Sequence, residues 1–95
     1  MTDPLLAYAA NRVSEYHRGA GERPVTSRGG VAELAAMVGG PLPDGPTDPA
    51  AALRQLADAV DAGSVATIGP RYFGFVVGGA MPATVAADWL ATGAD

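Results

Sequence analysis

The sequence predicts a mainly α-helical chain, and three observations carry that expectation. Two stretches, Thr2-Asp3-Pro4 and Thr47-Asp48-Pro49, join a capping side chain to a proline in the first helical turn, where its missing N–H costs nothing. Behind each start, apolar residues recur at helical spacing. Glycines then close the runs, at Gly19 and Gly21 after the first and at Gly63 after the second.

Taken in order, the first helix follows Pro4. Leu5, Tyr8, Ala9, Val13 and Tyr16 fall on one face, with Asn11, Arg12, Ser14 and Glu15 elsewhere. Glu22 to Val25 is expected to be extended, because Pro24 disfavours helix in the residue before it. A short second helix, about Val31 to Val38, is fenced by glycines on both sides. Pro41 to Pro49 lacks periodicity and reads as a proline-punctuated connector. The third helix starts at the Thr47/Asp48 cap, and its stripe is Leu53, Leu56, Ala57 and Val60. Gly69-Pro70 breaks the chain before Arg71-Tyr72-Phe73-Gly74-Phe75-Val76-Val77. That run has strand-like residues, but its glycines favour an extended segment lying against another surface. A fourth helix, from Pro82 to Ala91, is built mostly of small residues with Trp89 and Leu90 as its bulk.

Composition bounds what such helices can do. At 95 residues the chain is no more than one small domain. The hydrophobic fraction is 48%, yet much of it is alanine, which contributes little buried area. With 13 glycines and 8 prolines, the sequence offers thin material for an independent core. Cysteine is absent, which removes disulfides and thiolate chemistry. A net charge of −4, spread along the chain, argues against a nucleic-acid footprint. No secretory signal is visible at the N-terminus. The uncharged run from Tyr72 to Ala87 is shorter than the ~20 residues of a spanning helix and contains Pro82.

Candidate chemistry is sparse. His17 is the sole histidine and reads as a surface residue beside a helix end, without the donor cluster a metal needs. Asp58 and Asp61 read as the solvated side of the third helix. Ser14, Ser27 and Ser64 lack a G-x-S-x-G setting. The glycines near Gly78-Gly79 match neither common phosphate-loop pattern; they read as positions where the backbone passes close to another surface. All six fixed cations are arginines, and the chain has no lysine.

The stretch from Gly69 to Asp95 resembles the early block of the pyridoxal-phosphate-dependent group II amino-acid decarboxylases. The elements that carry the likeness are Pro70-Arg71-Tyr72-Phe73, Gly78-Gly79 and the helix from Ala86 to Leu90. Upstream, an N-terminal helix, Glu22 to Val25, a proline-rich connector and the capped helix near Asp48 follow the family's order. The resemblance implies the N-terminal helical segment of an aspartate-aminotransferase-like (fold type I) enzyme, ending before the large α/β domain. Residues 1–62 would form a helical arm with its connector, and 63–95 an extended substrate-entrance segment plus helix. By the same resemblance Phe75 and Val76 would face the substrate pocket. Gly78 would stand where several relatives carry a hydroxyl. Aromatic-specific relatives have more bulk where Val76 and Val77 stand, which disfavours an aromatic substrate.

Further implications concern partners and cofactor. The complete family enzyme is a cytoplasmic carboxy-lyase of amino-acid metabolism that uses pyridoxal 5'-phosphate. Its partners are the rest of the decarboxylase chain, a second identical subunit and an amino-acid substrate. Nucleic acid and membrane are not expected partners. Decarboxylation joins the substrate amine to the cofactor aldehyde, which serves as electron sink. An enzyme lysine normally delivers that cofactor, so this chain alone is expected to hold no cofactor and no catalytic residue. The residues by themselves also fit a second reading, a free-standing helical interaction module or decayed enzyme remnant, because the apolar stripes of the first and third helices call for a partner.

Overall fold

The structure is a computed structural model that describes residues 2–75 and 78–94. It contains four helices: α1 (Pro4–Gly19), α2 (Val31–Val38), α3 (Pro49–Gly63) and α4 (Pro82–Ala94). No strand occurs among the described residues, and no helix there is long and apolar enough to cross a membrane. The mainly helical expectation is therefore met among the described residues.

Both proline starts are capped as the sequence predicts. The Asp3 carboxylate accepts from the Leu5 amide at 2.8 Å, and the Asp48 carboxylate accepts from the Ala51 amide at 3.0 Å. Such caps are worth roughly 0.5–2 kcal/mol each. α2 lies between Gly30 and Gly39, and Gly40, at φ 118°, takes a left-handed backbone that suits glycine. α4 runs three residues past the expected stop at Ala91. A glycine inside a helix costs only about 1 kcal/mol, and Gly93 does not adopt the positive φ that would turn the chain.

Packing departs from the expected stripes in an informative way. On α1, Leu5, Tyr8, Ala9, Val13 and Tyr16 are all half-buried as expected, but so is Arg12. Arg12 is four residues from Tyr8, so the two share a face. On α3 the half-buried residues are Ala50, Leu53, Ala57, Ala59, Asp61, Ala62 and Gly63, while Leu56 and Val60 remain exposed. The covered face thus departs from the expected stripe, and it includes a carboxylate. From α1, Arg12 meets α3 at Asp58 and the Ala57 carbonyl. α2 completes the unit: Leu34 packs on the backbone of Gly29 and Gly63, and Gln55 of α3 donates to the Met37 carbonyl at 2.5 Å.

True burial is confined to one junction. Ala20, Arg23 and Ala66 are the buried residues among those described. They sit where the turn after α1 meets the turn after α3. Backbone bonds tie the two turns: Ala66 N–H donates to the Val25 carbonyl and Arg28 N–H to the Ala62 carbonyl, both at 2.8 Å. α4 makes no close backbone approach to the other helices. The radius of gyration, 15.2 Å, exceeds the ~12–13 Å of a compact chain this long. The thin core foreseen from composition and this open shape are one fact.

Candidate functional site

Two arginine–aspartate junctions set the geometry from which the Pro70–Gly79 segment departs. At the first, Arg12 donates to the Tyr8 hydroxyl at 2.8 Å, to Asp58 Oδ1 at 2.9 Å and to the Ala57 carbonyl at 3.1 Å. The bond to Asp58 raises the Arg12 guanidinium above its ordinary pKa, with partial burial opposing. At the second, Arg23 donates to Asp61 Oδ1 at 3.0 Å and to the Asp61 carbonyl at 2.7 Å. Its guanidinium carbon lies 4.4 Å from the centre of the Tyr16 ring, within cation–π range. Arg28 approaches the other Asp61 oxygen at 3.6 Å.

Asp58 is exposed as expected and Asp61 is half-buried, yet each anchors an arginine from another part of the chain. A signal was available: the two aspartates lie three residues apart, on one side of a helix. Their arginine partners are not near in sequence, so nothing local named them.

Arg71 extends the second junction by donating to the Arg23 carbonyl at 2.6 Å. It fixes the root of the segment expected to form a substrate entrance. Tyr72 is half-buried, and its side chain lies over Gly74 in space that a Cβ there would fill. Beyond it Phe75 is 88% exposed, and nothing crowds Gly78. Val76 lies outside the described residues. The expected entrance residues Phe75 and Gly78 therefore stand exposed.

A cleft of about 470 Å³ lies elsewhere, between α1 and α4. His17, read from sequence as a surface residue, is half-buried on its wall and tilted against Tyr16. Trp89 forms part of the opposite wall. Sequence spacing gave no hint of this cleft, because its two walls come from helices far apart in the chain that make no close backbone approach.

The donor set can be tested against pyridoxal phosphate directly. A Schiff-base lysine is absent from the whole chain. Arg12, Arg23 and Arg28 are engaged by aspartates and Arg71 by a backbone carbonyl. No triad of histidine and carboxylate suited to a metal occurs among the described residues. Without that lysine, this chain alone has no side chain to tether the cofactor as an imine.

The chain matches no family model, no curated protein and no solved structure. Among the described residues, the Ser27 and Ser64 hydroxyls are committed to backbone carbonyls.

Proposed function

We infer that the chain serves as the N-terminal segment of a pyridoxal-phosphate-dependent amino-acid decarboxylase, a carboxy-lyase in its complete form. Its own part is packing against a second subunit and lining a share of the substrate entrance. The observation that carries this reading is the segment from Pro70 onward. It keeps Phe73, Phe75, Met81 and Leu90 exposed, and its helix α4 is packed closely on no other helix. Burying a large apolar side chain contributes roughly 1.5–3 kcal/mol. Exposed aromatics next to a half-packed helix therefore suit a surface completed by a larger body. Residue order supports the same reading, with Pro70 to Phe73 followed by Gly78-Gly79 and the Trp89-Leu90 helix. In this role the body supplies the lysine and the cofactor, and the complete enzyme works as a cytoplasmic homodimer.

The second reading, a free-standing helical interaction module, is favoured by the α1–α3 unit. Its ion pairs and backbone bonds are satisfied within the chain. Intact mass of the native gene product separates the two. The decarboxylase reading expects a product several times heavier than 9.5 kDa, with these residues at its N-terminal end. A native product of 9.5 kDa would overturn it in favour of the module.

A further inference from the structure

The geometry points to the cleft between α1 and α4 as a binding site for a small apolar monocarboxylate. Every residue it uses belongs to this chain. The cleft's volume of about 470 Å³ falls within the ~300–1,000 Å³ of small-molecule sites. Val13, Val85 and Trp89 give it apolar walls, and Ser14, His17 and Arg18 give it a polar side. That division matches a ligand with a hydrocarbon body and one polar end.

Charge selects the polar end. Three arginines, Arg12, Arg23 and Arg28, are each committed to an aspartate of α3. Among the described residues Arg18 has neither an ion pair nor a side-chain hydrogen bond. Its planar fork matches a carboxylate bidentately, and His17 and the Ser14 hydroxyl add donors on the same helix. Asp88 lies on α4 but does not line the cleft. The carbonyl end of α1 opposes an anion here. Pro82, the first residue of α4, also lines the cleft, so the positive end of that helix offsets the effect. A single guanidinium suits one carboxylate better than a doubly charged phosphate.

Trp89 is the sole tryptophan, so its emission reports on the cleft without a label. The test is a titration of the full 95-residue chain with cyclohexanecarboxylate, its neutral carboxamide and cyclohexylmethylamine. The expected result is a saturable change in Trp89 emission with the carboxylate. Binding should be at least about tenfold weaker for the amide, as loss of a charge-assisted pair implies, and absent for the amine. Arg18→Gln should weaken carboxylate binding by a similar factor, and Arg18→Lys should recover part of it. Arg18 is exposed and makes no side-chain bond among the described residues, so unchanged far-UV circular dichroism should accompany both variants. A flat titration, equal responses to the three compounds, or undiminished binding by Arg18→Gln would each overturn the proposal.

Discussion

Replacing Arg23 with methionine is expected to lower the stability of the chain by about 2 kcal/mol, a large share of what a small domain has. Arg23 is the one charged residue buried among those described. It joins the end of α1, through Tyr16, to the end of α3, through the carboxylate and carbonyl of Asp61. Breaking a fully buried pair costs ~3–5 kcal/mol. The Asp61 side chain is 41% exposed, and Arg28 still approaches it at 3.6 Å, so part of that loss is recovered by water and by Arg28. Methionine keeps much of the arginine's volume and removes the unpartnered Nε, which also offsets some of the cost. Urea unfolding followed by circular dichroism reads the effect as a lower midpoint at unchanged slope. Arg23→Lys should rescue little, because one ammonium does not reproduce the forked contacts and the stacking. A loss below about 0.5 kcal/mol, the range of ordinary surface changes, would show that the junction does not hold the helices together.

The second large effect is at Gly69. A Cβ there would lie 2.9 Å from the Ala20 carbonyl oxygen and 3.3 Å from that of Ala66. Both obstacles are backbone, and both belong to the buried junction, so neither side can yield by changing a rotamer. Gly69→Ala is expected to cost about 1–3 kcal/mol, in the manner of an overpacked core. Gly19→Ala provides the opposite sign within the same assay. It ends α1 with open space around the added methyl, and alanine is favoured over glycine in a helix by up to about 1 kcal/mol. Equal melting of the Gly69→Ala variant and the parent would contradict the close approach of the two turns.

The two variants also mark where sequence reading succeeds and stops. Asp3-Pro4 and Asp48-Pro49 announce their helices because capping is local chemistry, written within three residues. The half-buried face of α1 was legible for the same reason, since Leu5 to Tyr16 carries the helical period. Arg23 was not legible. In sequence it is a polar residue before a proline, and its burial depends on Asp61, 38 positions away. That Asp61 is half-buried while Leu56 and Val60 stay exposed depends on the elements packed on α3, which α3's own sequence does not contain. The α1–α4 cleft was likewise invisible, because its two walls share no local pattern. For the entrance segment, composition foresaw apolar aromatics needing a surface. Phe73 and Phe75 stand exposed, which leaves the identity of that surface to the proposed enzyme body.

Cofactor trapping on the native gene product tests the central claim most directly. Borohydride reduction in the presence of pyridoxal phosphate, followed by peptide mapping, fixes any enzyme imine to its residue. The account predicts a cofactor-bearing lysine in a peptide outside these 95 residues, in a product that releases carbon dioxide from an amino acid. Carbon dioxide release at an enzyme's rate by the purified 95-residue chain alone, or a native product that traps no cofactor, would contradict it.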